Sequence, residues 1–307
     1  MRKIFKDFDK KPLALTKQDV LDHLKIIIES KDAKRINSDF YRGKYEKQDG
    51  TKGDAVIEEL NIFYHSKCAY CEDYSTVYIE HYRPKGRVIK TKHGGYFWLC
   101  YEWSNLVLAC HECNKSAGGK SDQFPVKNSH LTLKDCQENG ELSSDKINAI
   151  YLNQQEQPYL LHPEIDEPKH FLGFEIDTQK KGIAIKGLDG ANGRGFYTWK
   201  ICNLNREDLL LKRYERVIDK IKDDLRKAFA LLSKNAISKA NFVKEMKDIF
   251  TDLDKKSQDE KKTFTLLRWF VVDNENNFND LIISQLKDPF QQNITLAYFK
   301  AYKNGTL

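Results

Sequence analysis

Two cysteine pairs of identical spacing carry the densest chemistry in this chain: Cys68-Ala69-Tyr70-Cys71 and Cys110-His111-Glu112-Cys113. A CxxC turn sets two sulfurs on one side of a tight knuckle. Two such knuckles supply the four thiolates of a tetrahedral structural zinc site. A CxxC redox pair would sit at the start of a helix in a βαβ unit, and no such pattern surrounds either pair. Residues 72–109 make a longer gap than a simple zinc ribbon requires. That gap contains Glu80-His81, and Asn114 follows the last cysteine directly. An imidazole neutral near pH 7 can take a proton from water. Carboxylate and amide oxygens are the hard ligands that Mg²⁺ prefers. Alone, Glu80-His81 reads as the end of a surface strand; between two knuckles it reads as a candidate hydrolytic site.

The elements that must position these groups follow from the patterning. Residues 77–81 are β-branched and aromatic and predict a strand, broken by Arg83-Pro84-Lys85-Gly86-Arg87. Leu106-Val107-Leu108-Ala109 predicts the second strand, delivering Cys110. Asn114 is expected to begin a short helix stopped at Gly118-Gly119. Successive strand residues face opposite ways, so Glu80 and His81 can share a site only where the strand ends or distorts. Upstream, Thr16 is the expected N-cap of a helix over 17–30, with Val20, Leu24 and Ile27 on one face. Asp54 should cap a helix over 55–65, and the polar segment 32–53 reads as a solvated loop. Tyr96-Phe97-Trp98-Leu99 suits the core beneath the knuckles better than a base-stacking platform.

Downstream, residues 171–175 and 183–186 predict a hairpin. Asn205 is the expected cap of a long helix over 206–233, with Leu211, Tyr214, Ile218, Ile221, Leu225, Phe229 and Leu232 at spacings of three and four. Further helices are expected near 241–253, 263–272 and 278–286. His162, Asp166 and His170 have no ligand spacing and read as structural. The expected class is α+β. The expected organisation is an N-terminal helical lead-in (1–66), a core with the knuckles (67–130), a mixed extension (131–200) and a helical C-terminal region (201–307).

The 307 residues carry 51 basic and 45 acidic side chains, a net charge of +6. That balance permits a phosphate-binding face without demanding one. Residues 82–101 hold three lysines, two arginines and no acid, so Arg83, Lys85 and Arg87 are candidate backbone clamps beside the site. No apolar run approaches the roughly 20 residues of a membrane span. The basic start has no apolar segment behind it, so no secretory signal is expected. Unpaired Cys100, Cys136 and Cys202 fit a reducing cytoplasm. No phosphate-binding glycine loop is visible, so the chain is expected to carry no ATPase activity of its own.

At Glu80-His81 and Cys113-Asn114 the chain resembles the HNH endonucleases of the four-cysteine, zinc-stapled kind. Further strings resemble the HNH nucleases of Septu anti-phage systems, which also accompany some retrons. These are Met1-Arg2-Lys3-Ile4, Glu80-His81-Tyr82-Arg83-Pro84-Lys85, Phe124-Pro125, Leu160-Leu161-His162-Pro163 and Leu204-Asn205-Arg206. The resemblance implies a ββα-metal core stapled by zinc on Cys68, Cys71, Cys110 and Cys113. It implies hydrolysis of DNA, with His81 as general base and with Asn114 and Glu80, the latter directly or through water, holding one Mg²⁺ or Mn²⁺. Asn105 would hold the loop that orients His81. Lys115 and Lys120, near the expected helix start, would contact phosphate. An ATPase would be the partner protein. Two other readings stand beside this one. A non-catalytic zinc-ribbon module binding nucleic acid or protein would have no need of Glu80, His81 and Asn114. An RNA- or tRNA-directed HNH nuclease would have the same site, which reads phosphate rather than base.

Overall fold

The computed structural model describes residues 1–307. The chain divides into two compact units, one of residues 1–168 with 189–203, the other of residues 169–188 with 204–307. No helix is long and apolar enough to cross a membrane.

The first unit begins with α1 (Gln18–Ser30), which buries Val20 and Ile27. Its N-cap position is Lys17; the Thr16 hydroxyl instead donates to the Leu13 carbonyl. The segment expected as a loop is ordered. Asn37 caps α2 (Ser38–Arg42) by accepting from the Asp39 amide, and a hairpin of β1 (Lys44–Glu46) and β2 (Lys52–Asp54) follows. Gly43 turns between them at φ +63°, where a Cβ would lie 2.6 Å from that of Ala14. Elements this short and polar have no apolar period to betray them. Next, α3 (Ala55–Tyr64) buries Val56, Leu60 and Tyr64 and runs into the first knuckle.

The centre is an antiparallel pair, β3 (Val77–His81) and β4 (Leu106–Cys110), in register from Val77↔Cys110 to His81↔Leu106. Every residue of β4 is buried. Cys110 then occupies the N-cap position of α4 (His111–Asn114). Asn114 therefore ends the short helix rather than beginning it. Nor does Gly118-Gly119 stop a helix: it reverses the chain. Gly118 sits at φ +82°, and a Cβ on Gly119 would lie 2.7 Å from the Lys115 carbonyl oxygen. The reversal lets the Lys120 amide donate to the Cys113 carbonyl at 2.8 Å and the Ser121 amide to that of Asn114 at 3.1 Å. The unit continues through a short hairpin, β5 (Gln137–Glu138) and β6 (Glu141–Leu142), and then α5 (Ser144–Ile147) and α6 (Ala149–Glu156).

Charged side chains hold this unit from inside. Arg83 is fully buried: Nε donates to Glu156 and Nη2 to Asn153, each at 2.8 Å. The other Glu156 oxygen accepts from the Tyr96 hydroxyl at 2.6 Å and the Leu131 amide at 2.8 Å. Arg83, expected at a phosphate backbone, thus pins the 83–96 loop to α6 and is closed off from solvent. Lys6 is buried likewise, 2.9 Å from Glu164 and donating to the Trp103 and Leu106 carbonyls. Burial lowers the Lys6 pKa and raises that of Glu164, and each partner opposes the shift in the other. His162 is buried with its ring 4.2 Å from that of Tyr82, a structural histidine as its spacing suggested.

The second unit carries the hairpin β7 (Leu172–Asp177) and β8 (Gly182–Gly187), paired from Leu172↔Gly187 to Asp177↔Gly182. The first unit closes with α7 (Arg194–Ile201). Asn205 does not cap the long helix. Its amide clips β8 instead, accepting from the Ile185 amide and donating to the Ile185 carbonyl, both at 2.8 Å. The helix runs as α8 (Glu207–Arg213), a π-helical turn (Tyr214–Asp219) and α9 (Lys220–Ser233). Then come α10 (Lys239–Gln258), α11 (Thr265–Asp273), α12 (Glu275–Leu281) and α13 (Pro289–Lys303). The last was not foreseen. Asp288 caps it and Pro289 takes a first-turn position, where its missing N–H costs nothing. Phe278 and Phe299 stack at 3.8 Å across α12 and α13. The class is α+β, with a knuckle-stapled core and a mainly helical C-terminal region.

Removing one partner of a buried ion pair costs about 3–5 kcal/mol, because the other charge stays buried alone. Arg83→Met should lower the denaturant midpoint on that scale. The double variant Arg83→Met/Glu156→Gln should recover part of the loss. Equal midpoints for the single and double variants would show that Glu156 does not depend on Arg83.

Candidate active site

The four knuckle sulfurs are buried and lie within 4.8 Å of one another. The Cys71 and Cys110 sulfurs are 3.8 Å apart, and none of the cysteines is in a disulfide. A tetrahedron with Zn–S bonds of about 2.3 Å has an edge of about 3.8 Å. The cluster can therefore hold a structural zinc. Backbone bonds shape the first knuckle: the Ala69 amide donates to the Leu108 carbonyl at 2.8 Å and the Glu72 amide to that of Cys68 at 3.0 Å. The cluster ties the exit of α3 to the end of β4 and the start of α4.

Beside it, a cavity of about 230 Å³ is lined by Ile79, Glu80, His81, Pro84, Lys85, Asn114, Ser121 and Asp122. The structure thus brings Glu80, His81, Asn114 and Lys85 to one place. Glu80 and His81 meet there because β3 ends at His81. Lys120 Nζ lies 2.5 Å from Glu80 Oε1 and also donates to the His81 and Ser121 carbonyls. Asn114 Nδ2 donates to Glu80 Oε2. Burial raises the Glu80 pKa, while Lys120 and Asn114 oppose that rise. Asn114 Oδ1 is buried with no hydrogen-bond partner. An orphaned amide oxygen next to a carboxylate is a donor set that fits a hard divalent cation.

His81 is 5% exposed, and its Nε2 lies 3.0 Å from the Cys100 carbonyl oxygen. A carbonyl only accepts, so Nε2 carries the proton and Nδ1 keeps the lone pair in the neutral ring. Burial, reinforced by the nearby Lys85 charge, holds its pKa well below the usual imidazole range. Asn105 sets the surrounding loop. Its Oδ1 accepts from the Arg83 amide at 2.8 Å, and its Nδ2 donates to the Arg83 and Leu99 carbonyls at 3.3 Å. One side chain thereby fixes the backbone two residues after His81 and one residue before Cys100.

The expected phosphate contacts divide. Lys85 lines the cavity. Lys120 is fully buried and serves as the counter-ion of Glu80, so it offers nothing to a phosphate. Arg83 lies inside, as described. Arg87 is largely exposed and pairs with Asp122 at 2.8 Å, and Lys115 pairs with Glu112. Sequence reasoning missed Tyr41. Its ring stands edge-on to His81 at 4.9 Å, and Lys85 Nζ sits 4.1 Å over its face. The only signal was an aromatic residue in a polar segment.

A strand pair and short helix joined by two cysteine knuckles, with Glu-His ending the first strand and Asn after the second knuckle, fit the zinc-type HNH proteins. Over 171 residues the chain is 32% identical to Septu protein PtuB of Bacillus mycoides (strain KBAB4), a homologue. The alignment covers 53% of this chain, and the chain spans about half (50%) of the length of that curated relative. No family model and no solved structure matches the chain.

Zinc binding couples to folding because the ligands converge only in the native state. Cys68→Ser should lower zinc content from about one ion per chain and abolish cooperative unfolding of the first unit. Cys136→Ala, outside the cluster, should keep its zinc. Metal analysis of protein purified without chelator checks both, and zinc-free wild-type protein would refute the assignment.

Proposed function

We propose that this chain is a metal-dependent HNH endonuclease that hydrolyses DNA phosphodiester bonds. In this reading it acts in the cytoplasm as the nuclease of a Septu-type anti-phage system, beside a PtuA-like ATPase. The observation that carries the nuclease reading is one cavity holding three groups: His81, with its lone pair on Nδ1; Glu80, with its carboxylate already oriented; and Asn114, with an unpartnered amide oxygen. The homologue's name and the missing glycine loop support the defence role and the partner.

His81 Nδ1 accepts a proton from the attacking water while the Cys100 carbonyl keeps hold of Nε2–H. The water oxygen bonds to phosphorus, the bond to the 3′ oxygen breaks, and that oxygen leaves protonated by solvent. Burial and the nearby Lys85 and Lys120 charges disfavour the imidazolium that forms; the Cys100 carbonyl on Nε2–H and the phosphate charge offset this. Lys85 is the cation in the cavity that can meet a non-bridging phosphate oxygen. Glu80 and Asn114 would hold Mg²⁺ or Mn²⁺, which when bound neutralises charge on the phosphate and the departing oxygen. Tyr41 and Asn105 act as positioning residues, the first against the His81 ring, the second through its backbone.

His81→Ala should reduce cleavage by about 10²–10⁴-fold, the usual contribution of a general base, with zinc content and DNA binding unchanged. Asn114→Ala should raise the Mg²⁺ or Mn²⁺ concentration needed. Plasmid, single-stranded DNA and RNA are the substrates to compare. Cleavage of RNA alone would redirect the reading to an RNA- or tRNA-directed nuclease. Wild-type cleavage by His81→Ala would favour a non-catalytic zinc-ribbon module.

A further inference from the structure

A second concave site lies in the first unit, on the far end of the segment that borders the cleavage cavity. Ser121 and Asp122 line that cavity, and the next residue, Gln123, lines another of about 450 Å³. Cavities that enclose small organic ligands run from about 300 to 1,000 Å³. The first cavity is below that range and the second is within it. Phe124 and Val88, both buried, and half-buried Tyr197 give the second cavity an apolar and aromatic lining. Lys90 and Lys200 line it too, both exposed and neither paired with a carboxylate. No Asp or Glu lines it.

Lys90 is held there by local structure. It sits in the left-handed region at φ +64°, within a turn closed by the Val88 amide donating to the His93 carbonyl and the Thr91 hydroxyl donating to that of Val88. The Ile89 amide donates to the Asp122 carbonyl at 3.0 Å, fastening this turn to the segment between the cavities. Gln123 Nε2 donates to the Gly119 carbonyl, which leaves its Oε1 as an acceptor.

We propose that this second cavity binds a nucleotide of the substrate strand next to the scissile phosphate. The base lies on the aromatic and apolar lining, Gln123 Oε1 accepts from a base N–H, and the adjoining phosphates meet Lys90 and Lys200. The inference rests on the nuclease reading above. Charge complementarity selects a polyanion, since neither lysine has a carboxylate partner, Lys200 Nζ lying only over the Phe196 ring at 5.1 Å, and no acid lines the cavity. The aromatic lining selects a polyanion with flat, apolar faces. Continuity with the cleavage cavity through residues 121–123 selects the strand being cut. Only a single-stranded or locally opened segment can present its bases this way, so the site favours frayed or unpaired DNA over intact duplex.

The test uses the full chain carrying His81→Ala, so that binding is read without cleavage. The probe is a fluorescein-labelled single-stranded DNA of about 20 nucleotides, followed by anisotropy across salt concentrations. Lys90→Gln/Lys200→Gln should weaken binding about tenfold or more. It should also reduce the slope of log K against log salt by about 1.4, two phosphate contacts on single-stranded DNA at roughly 0.7 each. Tyr197→Ala should weaken binding about tenfold with the slope unchanged. Zinc content confirms that each variant is folded. Unchanged affinity and slope in the lysine variant overturn the site and leave the nuclease reading standing. No binding of any polynucleotide by the His81→Ala parent overturns both.

Discussion

Four buried sulfurs within 4.8 Å of one another set the terms for everything around them. As thiolates they repel, and a shared cation is what would make that arrangement favourable. The cluster joins the end of α3, the end of β4 and the four-residue α4. A helix of four residues has no intrinsic stability in water. Asn114 is held in place because Cys113, the residue before it, is fixed in the cluster. The Lys120 amide on the Cys113 carbonyl extends that control through the glycine reversal to the counter-ion of Glu80. A cluster that can hold a structural zinc thus positions the residues of a neighbouring cavity that contains none of its cysteines.

Around this staple, the first unit buries ion pairs where an apolar core would have sufficed: Arg83 with Glu156, Lys6 with Glu164, and Lys120 with Glu80. Such pairs gain little net stability over well-packed apolar residues. They specify geometry. Arg83 makes bonds through two guanidinium nitrogens to two residues of α6, and its backbone is held by Asn105, so the strand exit after His81 has one path. The string Arg83-Pro84-Lys85-Gly86-Arg87 therefore does three things with its cations. It buries the first, exposes the second to the cavity and ties the third to Asp122.

Patterning shows which parts of this were open to a reader of the sequence. The central strands were legible almost to the residue, because one is a short run with β-branched and aromatic residues and the other a short all-apolar run that ends in a knuckle. The cysteine knuckles were legible because spacing alone encodes them. Asn114 was placed at the wrong end of its helix, since the α4 start is set by Cys110, whose role as N-cap comes from the knuckle and not from a capping side chain. The segment holding Tyr41 looked solvated because α2 and the β1–β2 hairpin are stabilised by side-chain caps and a close-packed glycine, neither of which leaves a period. Asn205 looked like a helix cap by residue type; its amide pairs with Ile185 in a strand distant in sequence. The fates of Arg83 and Lys120 were invisible for a related reason. A cation in a basic stretch reads as surface until its carboxylate partner is known, and Glu156 lies far along the chain from Arg83.

Lys120 also changes how the candidate metal site must be understood. Glu80 is buried, and its charge is already balanced by an ammonium on one oxygen and an amide on the other. A divalent cation arriving here meets a nearly neutral pair, not a bare carboxylate, so its attraction comes mainly from the Asn114 oxygen and from whatever anion shares the cavity. A phosphodiester is such an anion. Under the proposed nuclease function, the metal and the substrate phosphate would each supply the charge the other lacks, and binding of the two should be cooperative. Lys120 keeps Glu80 oriented and its charge compensated between encounters. The same physics that makes a buried carboxylate costly would thereby keep the cavity intact before metal and substrate arrive together.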